Sequence, residues 1–279
     1  MPPRDVGYAG LKDRNAVTRQ WFSLRLAGRP EPDWKAIESP SLRLLESARH
    51  DRKLRIGALR GNRFRIKVRQ FRGDPGGLES VLAKMASEGV PNYFGPQRFG
   101  HDLANLEGAK VLFSGQRTRV KPRRRGLYLS AARAMLFNQV LARRVKEGSW
   151  RQPLPGERFL LAGSRGSFLA EQIDQTLRDR CLAMDIHPSG PMWGRGDPGT
   201  AAAVARLETD TLRETDYWKA GLEDAGLKME RRALRMPLQQ LEWHIDRDLL
   251  TLAFTLPKGG FATIVLRECV ACRLPDRVG

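Results

Sequence analysis

Asn62-Arg63-Phe64-Arg65-Ile66-Lys67-Val68-Arg69 alternates without interruption. In an extended chain Phe64, Ile66 and Val68 fall on one side and Arg63, Arg65, Lys67 and Arg69 on the other. The stretch predicts a strand with an apolar face for a core and a cationic face turned away from it. A solvated sheet surface and a contact with nucleic acid both account for four cations in that register. A second strand is predicted at 249–256, where Leu-Leu-Thr-Leu-Ala-Phe-Thr-Leu is short, apolar and bounded by turn residues. Pro257-Lys258-Gly259-Gly260-Phe261 turns that strand, and residues 262–268 close the fold.

Between the two strands the pattern is mainly helical. Leu78, Val81, Leu82 and Met85 share one face of a helix over 78–88 that stops at Gly89. Asn92 to Gly100 then packs three aromatics, two glycines, an Asn and an Arg into nine residues. Such a loop either stacks on a base or is pinned down by buried aromatics. A short helix is predicted over 103–112. Residues 117–125 hold six cations in nine positions, which predicts a boundary and either a phosphate-contacting strap or a simply solvated run. Ser130 is placed to cap a helix over 131–146 with Leu136, Val140 and Val145 buried. Residues 149–200 are rich in Gly and Pro and read as turns, with a helix over 174–184. His187 precedes Pro188, which predicts an extended turn and a structural role. Helix returns over 201–230, and 234–241 reads as a link.

Upstream of the alternating strand, 27–42 is a loop broken by Pro30 and Pro32, and 42–54 is irregular and basic. Before it, Gly7-Tyr8-Ala9-Gly10-Leu11-Lys12-Asp13-Arg14 is a glycine-punctuated turn presenting one carboxylate, Asp13, between two cations. A β-rich run carrying Val17, Trp21 and Phe22 is expected to follow directly. On composition alone this is a turn with a solvated aspartate.

The chain has 279 residues, enough for one large or two ordinary domains, and a formal charge of +18. A polyanion is the partner that such a charge favours. A membrane surface fits less well, because the cations lie on a strand and in a loop rather than on an amphipathic helix. No apolar run approaches the length of a membrane span. The opening Met-Pro-Pro-Arg-Asp lacks the apolar core of a signal peptide, which predicts a cytoplasmic protein. Three cysteines, Cys181, Cys269 and Cys272, form no disulfide framework, and Cys269-x-x-Cys272 is half a zinc pattern with no second pair. No metal site is expected.

Six stretches together resemble the tRNA pseudouridine synthase D (TruD) family. They are Ala9-Gly10-Leu11-Lys12-Asp13, Asn62-Arg63-Phe64, Asn92-Tyr93-Phe94-Gly95-x-Gln97-Arg98-Phe99-Gly100, Leu129-Ser130-Ala131-Ala132-Arg133 with Leu136-Phe137-Asn138, Gly190-Pro191-Met192-Trp193-Gly194, and Leu256-Pro257-Lys258-Gly259-Gly260-Phe261-Ala262-Thr263 with Leu266-Arg267-Glu268. They follow family order and span nearly the whole chain. The resemblance implies isomerisation of uridine to pseudouridine in tRNA, at tRNA position 13, with no cofactor. It places the essential aspartate at Asp13 and substrate contacts at Asn92 and Phe261, with Phe94 as a supporting aromatic. Arg63, Arg65, Lys67, Arg69, Arg123, Arg124 and Arg125 are the candidates for RNA-backbone contact. tRNA is the expected partner, with no membrane and no obligate protein partner.

The implied fold is α+β. A pseudouridine-synthase catalytic domain with a mixed, mainly antiparallel sheet, 1–116 plus 236–279, is interrupted by an inserted α/β domain, 117–235. In this reading the final strand brings Phe261 near Asp13, and RNA lies in the cleft between the domains. Family members carry several dozen residues before the Gly-x-Lys-Asp turn, including strands and an aromatic substrate contact. The resemblance therefore implies a chain truncated at its N-terminus, and the alternative to an enzyme is a catalytically silent RNA-binding protein of the same fold.

Overall fold

The computed structural model describes residues 2–13, 15–115 and 119–271. The chain divides into two compact units, Met1–Asn62 and Arg63–Gly279.

In the first unit β1 (Val6–Tyr8) pairs antiparallel with β2 (Phe22–Leu24). Gly7 sits opposite Ser23, and a Cβ there would lie 2.5 Å from both Leu54 O and Ser23 Oγ. Ser23 Oγ accepts a hydrogen bond from Leu54 N at 2.9 Å. The missing side chain is thus what lets residues 53–54 cross this ribbon. The β-rich run expected from Val17 begins only at Phe22: Val17 and Trp21 are exposed and unpaired in the ladder. β-propensity alone did not supply a partner surface for them.

The second unit opens on the alternating strand, β3 (Gly61–Val68). Arg63, Arg65 and Lys67 are exposed, while Phe64, Ile66 and Val68 pack on a core. Helix α1 (Pro75–Glu88) starts three residues before the expected position. Asp74 caps it, accepting from Gly76 N at 3.1 Å and Gly77 N at 2.8 Å, and Pro75 takes the first-turn position where no N–H is needed. Leu78, Leu82 and Met85 are buried, but Val81 is exposed. The helix ends at Gly89 with φ 73°, where a Cβ would lie 2.7 Å from Met236 O. β4 (Val90–Pro91) follows, then α2 (Ala104–Phe113).

Helix α3 (Pro122–Lys146) is longer than the sequence suggested. Pro122 starts it, so Arg123, Arg124 and Arg125 form its first turn rather than a loop, and Ser130 lies inside it instead of capping it. Residues 117 and 118 of the expected strap lie outside the described residues. The Gly- and Pro-rich segment read as turns contains β5 (Glu157–Leu161), β6 (Ser167–Ala170), α4 (Gln175–Leu182) and β7 (Ile186–Met192). The span expected to be one helix breaks into α5 (Ala202–Thr211), α6 (Asp216–Asp224) and β8 (Glu230–Ala233). These strands form a sheet in the order β6-β5-β7-β8. β7 tolerates Pro188 and Pro191 inside a sheet because its neighbours cover different halves. β5 pairs with 186–188, and β8 with 189–192.

The residues read as a link hold β9 (Arg235–Met236), which pairs with β4, and the start of β10 (Gln239–Asp246). β10 hairpins onto β11 (Leu249–Pro257), and α7 (Ala262–Cys269) follows. The three-stranded sheet runs β10-β11-β3. Leu250, Leu252, Phe254 and Leu256 point into a core with Leu78, Leu82 and Met85 of α1 and Val265 and Leu266 of α7. Separate clusters lie between α2, α3, α5 and α6, and between β5, β7 and α4. The architecture is mixed α+β with antiparallel ladders.

Candidate active site and RNA interface

In the first unit Asp13 lies on the loop joining β1 to β2, and it is exposed. Lys12 Nζ donates to Asn62 Oδ1, which anchors the residue next to Asp13, and Gly57 N donates to Ala9 O at 2.6 Å. Asp13 thus follows an anchored segment and is exposed on the loop.

In the second unit four of the six motif stretches meet around Phe94. This ring is buried, 7 % exposed. Its backbone is held from α3: Asn138 Oδ1 accepts from Phe94 N at 2.9 Å, and Asn138 Nδ2 donates to Phe94 O at 3.0 Å. Phe137, one residue earlier, meets the Phe94 ring edge-on at 5.6 Å between centroids. Gly190 of β7 lets this happen, because a Cβ there would lie 3.1 Å from Phe137 Cε2. Arg133 Nη2 clamps β7 by donating to Met192 O at 2.6 Å, and Trp193 Nε1 donates to Glu223 Oε1 at 2.8 Å. The loop aromatics are therefore pinned by buried contacts, and Phe94 serves as a floor rather than a free stacking surface.

Phe261 sits at the N-cap of α7, with its ring 6.1 Å from that of Phe94. It is partly exposed. Asn92 follows β4, its N–H donating to Leu234 O at 2.8 Å. Its Nδ2 donates to Ala233 O at 2.8 Å, and its Oδ1 accepts from Arg232 Nη2 at 2.5 Å. A carboxamide offers two donors and two lone pairs, so one of each remains uncommitted. Asn92, Phe94 and Phe261 are thus brought together within the second unit.

Two arginines join them that the sequence did not single out. Arg232 Cζ lies 4.1 Å from the Phe94 centroid and 5.5 Å from that of Phe137. Arg98 Cζ lies 5.4 Å from Phe94 and 5.7 Å from Phe261. Alternation along β8 explains the first: Arg231 points to the opposite face, where it pairs with buried Glu208 at 2.6 Å. Arg232 is pushed down to about 10, chiefly by burial and then by the Arg98 charge. Burial also lowers Arg98.

The expected backbone-contact residues are scattered. Arg63 stands 3.8 Å from Glu242, both exposed, and Arg65, Lys67 and Arg69 face outward beside it. Arg124 lines a cleft with Arg119, Lys121 and Tyr128, while Arg123 and Arg125 are exposed on the same helical turn. His187 is buried in β7, its Nδ1 3.3 Å from Arg235 Nε. Burial and then the Arg235 charge push it down to about 4, so it is a neutral structural residue. Burial pushes the Cys181 thiol up to about 11, and Cys269 Sγ faces Val265 O at 3.4 Å. Cys272 lies outside the described residues. Among the described residues no three His, Cys, Asp or Glu side chains gather as a metal-ligand set, and no helix is long and apolar enough to cross a membrane.

The α+β fold is shared with a crystal structure from Methanosarcina mazei assigned to tRNA pseudouridine synthase D (TruD). That structure superposes with a TM-score of 0.72 at 18% identity, covering 95% of this chain and 81% of its own. At that identity the likeness is one of fold. The family model for tRNA pseudouridine synthase D (TruD) matches residues 1–116 and 101–269. The tRNA pseudouridine synthase D of Methylococcus capsulatus is 51% identical over 271 residues, which is 97% of this chain and 77% of that protein. That of Nitrosococcus oceani is 49% identical over 278 residues, 99% of this chain and 77% of that protein. The chain belongs to the tRNA pseudouridine synthase D (TruD) family.

Proposed function

We propose that this protein isomerises uridine to pseudouridine in tRNA, at position 13, with Asp13 as its catalytic carboxylate. The observation that carries the reading is identity of about half over nearly the whole chain to proteins named tRNA pseudouridine synthase D. A silent RNA-binding protein is the less favoured alternative on the same ground.

In the reaction the N1–C1′ bond breaks, the base turns, and a C5–C1′ bond forms. The C5 hydrogen leaves as a proton and N1 gains one, so no electrons are transferred overall and no cofactor is called for. Positive charge develops at C1′ as the glycosidic bond breaks. An ionised carboxylate is suited to meet it, as a nucleophile or as a fixed negative charge. The target base must leave its stack, which costs a few kcal/mol and is offset by aromatic and amide contacts. Phe261 is the stacking candidate, because its ring is partly exposed on the Phe94 floor. Asn92 retains one donor and one acceptor, which complements the O4 and N3–H pair of uracil. Phe94 supports both.

The exposed cations of β3 and of the first turn of α3 supply sequence-independent attraction for the tRNA backbone. We further propose that 117–235 forms an inserted domain within a catalytic domain of 1–116 and 236–279. The four-stranded sheet and the apolar cluster packed on it lie wholly within 117–235, which supports that division. A protein with this substrate works in the cytoplasm.

Carbodiimide mapping of an unmodified tRNA transcript incubated with the protein tests the reading. One new stop, one nucleotide to the 3′ side of position 13, is expected. Stops elsewhere, or none, would contradict it.

A further inference from the structure

We propose that Arg98 and Arg232 form an anion site on the Phe94–Phe261 aromatic pair, and that it holds a backbone phosphate flanking the reacting uridine. The proposal rests on the reading of the protein as a pseudouridine synthase whose target nucleotide is held at Phe261.

Two guanidinium groups crowd one phenyl ring, Arg232 at 4.1 Å and Arg98 at 5.4 Å from its centroid. Their neighbours are neutralised: Arg133 pairs with Glu230, Arg144 with Glu157, and Arg231 with Glu208. Among the described residues no carboxylate pairs with Arg98 or Arg232, and the one charge felt by Arg232 is the like charge of Arg98. Removing two like charges from water without a counter-ion is unfavourable. The negative face of Phe94 offsets part of that, but a ring quadrupole is a weak substitute for an anion. The pair is therefore set up for an anionic ligand.

The donor geometry points the same way. Arg98 Nη1 donates to Ser130 Oγ at 3.1 Å, while its buried Nε has no partner among the described residues. Arg232 commits Nη2 to Asn92 Oδ1 and to Gly259 O, at 2.5 and 3.2 Å, and Nε to Asn92 O at 3.4 Å. Its Nη1 group is left over. Planar guanidinium forks match phosphate oxygens. A flipped nucleotide carries two phosphates out with it, so an anion site beside the stacking ring meets one of them. Exposed cations such as Arg65 and Lys67 attract RNA generally, whereas this pair would fix one phosphate and, through Asn92, the register of the base.

The test is a binding cycle with tRNA carrying one neutral methylphosphonate at either linkage flanking uridine 13, against wild type and Arg98→Gln. At one linkage, neutralisation should weaken wild-type binding by about tenfold or more, the equivalent of one charge-assisted hydrogen bond. The same tRNA should bind Arg98→Gln with little further loss, because the partner of that phosphate is already gone. Arg98→Gln should melt no lower than wild type, since it relieves repulsion; a structural role predicts a lower melting temperature. Equal weakening in both proteins, or no weakening of wild type at either linkage, overturns the site. No weakening of wild type at either linkage overturns the site even where the variant fails to fold. Failure to form pseudouridine would sink the enzymatic reading and leave this binding cycle independent of it.

Discussion

Replacing Arg144 by Met strands a carboxylate in the interior. Arg144 and Glu157 have side chains 1% and 0% exposed and meet at 2.8 Å. Arg144 also donates to Ser149 O and Gln152 O, and Glu157 Oε1 accepts from Ser189 N at 3.3 Å. The pair ties the end of α3 to β5 and β7. Burial raises the Glu157 carboxyl, with Arg144 as the largest opposing influence and Arg231 behind it. Breaking one side of such a pair costs ~3–5 kcal/mol. At ~2–4 °C per kcal/mol this is a fall in melting temperature of roughly 10 °C. The loss depends on pH. A carboxyl raised in the folded state binds its proton more tightly there than in the unfolded chain. The stability it contributes is full below the unfolded value and is lost as pH rises through the folded one. Arg144→Met should therefore fall furthest behind wild type at pH 7.5 and recover part of the gap by pH 5. Adding Glu157→Leu should recover most of the remainder, because an apolar pair of similar volume removes the buried charge. Calorimetric melts of the three proteins check this. A fall of less than about 2 °C in Arg144→Met, or no recovery in the double variant, would refute the reasoning.

Three further outcomes are expected. His187, lowered from 6.5 to about 4 by burial and then by Arg235, is neutral in the folded protein. The stability it contributes is present above the unfolded value and lost as pH falls through about 4. His187→Asn should flatten the acid side of the melting profile, and an imidazole resonance titrating near 6.5 would contradict that. Phe94→Ala should destabilise the protein by ~3–5 kcal/mol, because it empties the space between Phe137, Arg232 and Phe261. Phe94→Leu should keep most stability yet weaken tRNA binding, read as a rise in Kd with a melting temperature close to wild type.

The central strands were legible because their chemistry is local. Phe64, Ile66 and Val68 alternate with cations, and 249–256 is a short apolar run bounded by turn residues, so each strand is marked by its own residues. The prolines of β7 concealed a strand, since the register that tolerates them depends on which neighbour pairs with each half. The start of α3 was hidden for a related reason: three arginines and Gly126 look like a loop until Pro122 is seen to begin a helix. Val81 sat on the predicted face, yet the sheet reaches only Leu78, Leu82 and Met85. The roles expected of Asp13, Asn92 and Phe261 came from motif resemblance rather than from any local pattern. Arg232 was out of reach of both, because it meets Asn92 across 140 residues and Phe94 only through the pairing of β8 with β7. Arg98 lay within a recognised stretch, but nothing in that stretch shows that no carboxylate among the described residues pairs with it.

The most direct test of the account is tritium release from tRNA labelled at uridine C5, comparing the wild-type chain with Asp13→Ala. The account predicts release by wild type, none above background from Asp13→Ala, and similar tRNA affinity for both. Equal release from the two proteins would contradict the assignment of Asp13, and no release from wild type would contradict the enzymatic reading itself.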